Sequence, residues 1–319
     1  MTRCIALSGG VGGAKLALGL SKFLSPDELL IVANTGDDFE HLGLTICPDI
    51  DTLLYTLAAI ANPETGWGRA DESWKTMKAL ETIGGETWFR LGDRDLALHL
   101  TRKQQLSSGK TLSDTIANIA ESIGLKHPVV PMSDQPVRTM VRTDIGELPF
   151  QEYFVKNQCV PKVTGFQFAG VNDAKPNPLL MDALRDPRLE AVIICPSNPF
   201  ISIDPILAIP GLREDLRARS APIIAVSPII GNRALKGPAA KMLRELGFDT
   251  SAAAIADHYG DLLQGFVIDS QDKDLANKLE TKSRRVHATN TVMKSLEDRV
   301  TLARETFAFA SQIQTPQTV

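Results

Sequence analysis

Five short apolar runs, each closing on a small polar turn, constrain this chain more than any other feature. They are Ile5-Ala-Leu7, Leu29-Leu-Ile-Val-Ala33, Ala191-Val-Ile-Ile-Cys195, Pro222-Ile-Ile-Ala-Val226 and Phe266-Val-Ile268. Rich in β-branched residues and bounded by Gly, Pro or Asn, they read as strands buried on both faces. Amphipathic stretches separate them. Leu16, Leu20, Phe23 and Leu24 recur at helical spacing after the first run, and Leu53, Leu54, Leu57 and Ile60 after the second. Further helical patterns run through 203–218, 237–247 and 290–311. Buried strands alternating with helices predict an α/β fold, a doubly wound and mostly parallel Rossmann-like sheet.

Residues 62–130 break this rhythm. Trp67, Trp74 and Trp88 all fall there, with helical patterns near 71–83 and 111–123. Residues 137–170 read as short exposed strands: Val137 to Thr143 alternates, Asp144-Ile-Gly146 turns, and Phe150 to Val155 follows. Residues 62–175 are therefore expected to form a smaller helical and β excursion inserted in one domain spanning 1–319, serving as a wall or lid of the site. Gln312 to Val319 reads as a frayed tail.

Composition excludes several classes. A formal net charge of −4 argues against a nucleic-acid surface, which calls for clustered Lys and Arg. The one dense basic cluster, Lys282-Ser-Arg284-Arg285, reads as a solvated helix end or turn. Cys4, Cys47, Cys159 and Cys195 are scattered, three of them look like core fillers, and no disulfide framework is suggested, which predicts a reducing, cytoplasmic setting. The opening Met1-Thr-Arg runs straight into a strand and does not resemble a signal peptide. No apolar run approaches the ~20 residues that span a bilayer.

The chemistry collects in the turns after the strands: Ser8-Gly-Gly-Val-Gly-Gly13, Asn34-Thr-Gly-Asp-Asp38, Pro196-Ser-Asn-Pro199, Ser227-Pro-Ile-Ile-Gly-Asn232 and Asp269-Ser-Gln-Asp272. In an open parallel sheet all of these lie on the carboxyl edge, where ligands bind at the topological switch. The first turn lets backbone N–H groups approach phosphate at the start of a helix expected near Ala14. It is neither a P-loop, since Ala14 and Leu16 stand at its Gly and Ser/Thr positions, nor G-x-G-x-x-G, since Lys15 takes the third glycine's place. A tight ligand-free turn is the simpler alternative.

Asp37, Asp38, Asp49 and Asp51 crowd into one short stretch. One of them could cap the helix that starts near Leu53, but all four together suit Mg²⁺ shared with phosphate oxygens. Arg90-Leu-Gly-Asp-Arg-Asp95 is either a capped helix start with a surface ion pair or an arginine contact to phosphate or a conjugated ring. The histidines, His41, His99, His127, His258 and His287, show no metal spacing, and most read as surface or capping residues. No G-x-S-x-G elbow is present, and no cysteine has a neighbouring base in sequence.

These motifs resemble the 2-phospho-L-lactate transferases of coenzyme F-420 biosynthesis, the CofD-like family. The resemblance covers nearly the whole chain. It rests on Ser8-Gly-Gly, Asn34-Thr-x-x-Asp38, Pro48-Asp-x-Asp-Thr-x-Leu-Tyr55, Leu91-Gly-Asp-Arg-Asp95, Pro131-Met-Ser-Asp134, Pro196-Ser-Asn-Pro199 and Ser227 to Asn232 with Gly237-Pro-Ala239. It implies a reaction in which the ribityl hydroxyl of the deazaflavin Fo attacks a guanosine diphosphate ester of a phospho-acid, releasing GMP with Mg²⁺ present. The acid is 2-phospho-L-lactate, phosphoenolpyruvate or 3-phosphoglycerate; the glycine-rich Val11-Gly-Gly-Ala14 departs from archaeal relatives and bears on that choice. By resemblance Asp51 and Arg90 contact Fo, Asp51 is the catalytic group, and Asp38 with Asp51 ligates metal. Gly9, Gly10, Gly12, Gly13, Ser197, Asn198, Ser227 and Asn232 would hold phosphate and nucleotide, and a homodimer is expected.

Two other functions fit parts of the pattern. One is a sugar-nucleotide-binding metabolic regulator with a similar glycine-rich opening. The other is a nicotinamide-dependent dehydrogenase with Asp37 or Asp38 on the ribose. Taken as a surface carboxylate, Asp51 is expected to tolerate Asp51→Asn without loss of fold.

Overall fold

A computed structural model describes residues 1–231, 233–234 and 238–314. Seven strands form the main sheet: β1 (Cys4–Ser8), β2 (Leu29–Ala33), β3 (Val129–Pro131), β4 (Ala191–Ile194), β5 (Ile223–Val226), β6 (Gly265–Asp269) and β7 (Arg285–Thr289). Their order is β7-β6-β5-β4-β1-β2-β3, and every neighbouring pair is parallel. The expected doubly wound α/β sheet is therefore present, with its switch point between β1 and β4.

Alternate residues of the central strands feed two cores. Ile5, Leu7, Val192 and Ile194 pack on one face, and Cys4, Ala6, Ala191 and Ile193 on the other. Helix α1 (Gly10–Leu20) lies on the second face against the C-terminal helix Leu296–Gln314. Their backbones touch at Gly19, where a Cβ would stand 2.1 Å from the Arg299 carbonyl oxygen. Then come α2 (Pro48–Leu57), α3 (Lys75–Thr82), α4 (Asp93–Ser107) and α5 (Leu112–Ser122).

Several local expectations are corrected. Within 62–175 the chain rejoins the main sheet as β3, so the excursion is in two pieces. The first piece carries α3 to α5; the second is the antiparallel sheet of Arg138–Thr143, Gly146–Pro149 and Val163–Ala169. Phe150 to Val155 is no strand: Glu152–Lys156 is a helical turn, and Phe150 stacks on Phe154 with ring centroids 5.4 Å apart. The 203–218 pattern splits into Asp204–Leu207 and Leu212–Arg217, because Gly211 sits at φ 80°. Strand β7 contains Arg285, and Arg284 is buried, donating to the carbonyls of Leu279 and Ala256. The cluster is thus an exposed bend at Lys282-Ser283 that leads into the sheet edge, with Arg284 alone buried. The C-terminal helix continues to Gln314.

Candidate active site

The carboxyl ends of the central strands open into a cavity of ≈ 1120 Å³. Its polar end is built at the β1–β4 switch. Helix α1 starts at Gly10, earlier than the expected Ala14, with Gly9 as its cap. The Gly9 N–H donates to Ser197 Oγ (3.2 Å), which donates back to the Gly9 carbonyl (2.8 Å). A Cβ on Gly12 would lie 2.3 Å from the Pro196 carbonyl oxygen, and one on Gly13 would lie 2.4 Å from Ser8 Oγ. These glycines let the two strand ends meet. Gly10 differs, with open space around it and a φ of 66° that L side chains rarely adopt.

The Gly10 N–H already has an anion, Asp49 Oδ1 at 2.7 Å. Asn34 Nδ2 holds the other oxygen at 2.9 Å and its own Oδ1 takes the Gly36 N–H, so the turns after β1 and β2 are tied together. Burial pushes Asp49 up to about 6. Asp37, also buried and lining the cavity, is raised further by burial, then by the charges of Asp49 and Asp38. Its Oδ1 has no hydrogen-bond partner. Asp38 does not line the cavity; burial pushes it up to about 7 beside the Cys47 thiol.

Asp51 stands on α2 at the centre of the wall. Only 4% exposed, it accepts from both Nη atoms of Arg102, one of these bonds measuring 3.1 Å. It is not a surface carboxylate. Arg102 Nη1 also reaches the Thr45 carbonyl (3.1 Å) and His99 Nδ1 (3.1 Å). His99 Nε2 lies 3.3 Å from Asp95, whose other oxygen takes the Tyr55 hydroxyl hydrogen. Burial works to raise Asp95, but the His99 hydrogen bond and charge, with Tyr55 and Arg102, carry it below its usual range. Burial, with the Asp51 and Asp95 charges, pushes the Tyr55 phenol well up, so it remains a donor.

Sequence reasoning missed Arg102 and placed His99 among surface histidines. The signal was present: Asp95, His99 and Arg102 share one face of α4 at i, i+4 and i+7. His41 is buried as well, in an aromatic group with Trp88 (5.2 Å between centroids) and Phe89. That group continues into the cavity's far wall of Trp67, Trp74, Trp88, Phe89 and Phe154. Arg90 lies there too, its guanidinium carbon 4.7 Å from the centre of the Trp74 ring. The acids beside it fold the loop: Asp93 caps α3 through the Lys75 and Thr76 N–H groups (3.0 Å each), and Glu72 caps α4 through Arg94 and Asp95 (2.8 Å each).

Of the residues expected on the nucleotide side, Gly9, Gly10, Gly12, Ser197, Asn198 and Ser227 line the cavity and Gly13 does not. Asn198 Oδ1 takes the Phe200 N–H at 3.1 Å, and Ser227 Oγ takes the Ile229 N–H at 3.1 Å. Asn232 and Gly237 lie outside the described residues. Burial raises all four thiols, Cys4, Cys47, Cys159 and Cys195.

Among the described residues no three His, Cys, Asp or Glu side chains gather as a complete metal cluster. Mg²⁺ needs fewer, taking one or two carboxylates and completing its shell with water and phosphate. The partnerless Asp37 oxygen fits such an ion, whereas both oxygens of Asp51 are engaged by Arg102 and both of Asp49 by Gly10 and Asn34.

Fold and site together define a Rossmann-like α/β protein with a cleft at its switch point, acidic at one end and aromatic at the other. The chain belongs to the family described as 2-phospho-L-lactate transferase CofD, whose sequence pattern matches residues 4–306, and it is a transferase of that type. It is 38% identical to a phosphoenolpyruvate transferase of Kitasatospora aureofaciens, over 98% of this chain and 99% of the relative. It is 37% identical to a 2-phospho-L-lactate transferase of Methanococcoides burtonii, over 97% and 100%. The solved structure of a UPF0052 family member from Bacillus halodurans shares the fold, with TM-score 0.62 at 14% identity over 95% of this chain and 98% of that one. Among the described residues no helix is long and apolar enough to cross a membrane.

Proposed function

We propose that the chain transfers a phospho-acid group from its guanosine diphosphate ester to the ribityl hydroxyl of the deazaflavin Fo. The carrying observation is that one cavity is lined by the acidic switch-point turns, by Asp51 and by an aromatic group. The flat deazaflavin lies along Trp74, Trp88 and Arg90, where stacking and guanidinium contact suit a conjugated ring. The diphosphate lies toward the first turns of the sheet edge. Asp37 would hold Mg²⁺ through its free oxygen, and the ion would supply charge neutralisation at the phosphates.

Asp51, oriented by Arg102, accepts the hydroxyl proton through a remaining lone pair. The Fo oxygen bonds to the phosphorus that carries the acid, the bond from that phosphorus to the GMP oxygen breaks, and GMP leaves with the electron pair. Positioning and charge stabilisation dominate such transfers. The acid is 2-phospho-L-lactate or phosphoenolpyruvate, the groups named for relatives of nearly equal identity. A homodimer in the cytoplasm completes the reading. Incubation with Fo, Mg²⁺ and each guanylylated acid tests it: product phosphodiester and stoichiometric GMP are expected. Binding of sugar nucleotides without turnover would instead favour a metabolic regulator.

A further inference from the structure

Four cations line the cavity: Lys15, Arg69, Arg90 and Lys294. Arg69 is distinctive. It is half-buried, its guanidinium carbon lies 5.4 Å from the centre of the Tyr55 ring, and its Nε is enclosed with no hydrogen-bond partner. Among the described residues its guanidinium forms no ion pair or hydrogen bond. The Tyr55 ring beneath it cannot swing away, because its hydroxyl is tied to Asp95. Tyr55 follows Asp51 by one turn of α2, and both line the cavity. Arg69 therefore lies over the residue one helical turn beyond Asp51.

An enclosed guanidinium without an acceptor is costly unless a ligand brings the anion. We infer that Arg69 receives the carboxylate of the transferred acid and makes the site selective for donors that carry one. This rests on the transferase reading. In a 2-phospho-acid the carboxylate carbon is two bonds from the ester oxygen, so the group lies beside the reacting phosphorus. The planar fork matches a carboxylate in two parallel hydrogen bonds, while the face of the guanidinium rests on Tyr55. Phosphoryl transfer itself needs no carboxylate, so selectivity for one comes from a donor group beside the reacting phosphorus, the role assigned to Arg69.

Calorimetry with two probes tests it: the guanosine diphosphate ester of lactic acid, and that of 2-propanol, where a methyl replaces the carboxylate. The unaltered protein is expected to bind the lactic ester ~10- to 100-fold more tightly, the range for hydrogen bonds to charged groups. Arg69→Gln should remove that preference, leave Fo affinity unchanged and hold or raise the thermal midpoint, and Arg69→Lys should restore part of the preference. Equal affinity for the two esters in the unaltered protein overturns the assignment to Arg69 and leaves the transferase reading standing. So does a preference that persists in Arg69→Gln, or a loss that falls on Fo. Failure to bind either ester would sink both readings.

Discussion

The buried guanidinium of Arg102 on α4 grips both carboxylate oxygens of Asp51 on α2. The pair fixes the carboxylate against the cavity, and it couples stability to the site. Removing one partner leaves a charge buried alone, which costs about 3–5 kcal/mol. Arg102→Met and Asp51→Asn should therefore each lower the thermal midpoint, against the expectation that Asp51→Asn spares the fold. The double variant should recover part of the loss, and strictly additive destabilisation in a denaturant series would show the pair to be uncoupled.

Asp37 should behave in the opposite way. Its buried, partnerless oxygen costs stability in the metal-free protein. Asp37→Asn is expected to hold or raise the thermal midpoint while increasing the Mg²⁺ needed for half-maximal turnover roughly 10- to 100-fold, and chelation should abolish turnover in the unaltered protein. An unchanged Mg²⁺ requirement would exclude Asp37 as a ligand.

Asp38 gives a stability effect with a defined pH window. Burial raises it from 3.8 to about 7, so the folded state holds its proton more tightly than the unfolded chain. Its contribution is complete below pH 3.8 and is lost as pH rises through about 7. Asp38→Asn in the metal-free protein should gain ~1–4 kcal/mol at pH 8 and little at pH 4. Calorimetric melts at the two pH values check this; an equal gain at both would exclude titration as the cause.

Glycine substitutions in the first turn should separate two physical causes. Gly12→Ala drives a methyl into the Pro196 carbonyl and should cost about 3 kcal/mol or more. Gly10→Ala meets no atom, but it must adopt φ 66° and should cost ~1–2 kcal/mol. The reverse order in urea titrations would mean that the turn relaxes around Gly12.

Trp74 is 42% exposed, so its ring does little for the core. Trp74→Ala should leave the midpoint within a degree or so of the parent and weaken Fo binding roughly five- to tenfold, measured by quenching of deazaflavin fluorescence. Full retention of Fo affinity would move the ring site elsewhere.

The central strands of the sheet are legible in the amino-acid order alone. They are buried on both faces and so are written as unbroken apolar runs, and the turn after each must reach one edge. That order also marked Gly10, Asp49 and Asp51, because glycine freedom and clustered acid are local properties. Edge elements escaped it. β3 is only three residues long, and β7 alternates like any exposed segment. What tertiary structure decided was the partner of each polar group. Asp49 went to the Gly10 N–H and Asp51 to Arg102, while one oxygen of Asp37 was left without a partner. Those partners are brought together where α1 and α4 meet α2, and burial then sets what each carboxylate can do. Four acids that look alike in sequence differ only in what the fold places within three ångströms of them.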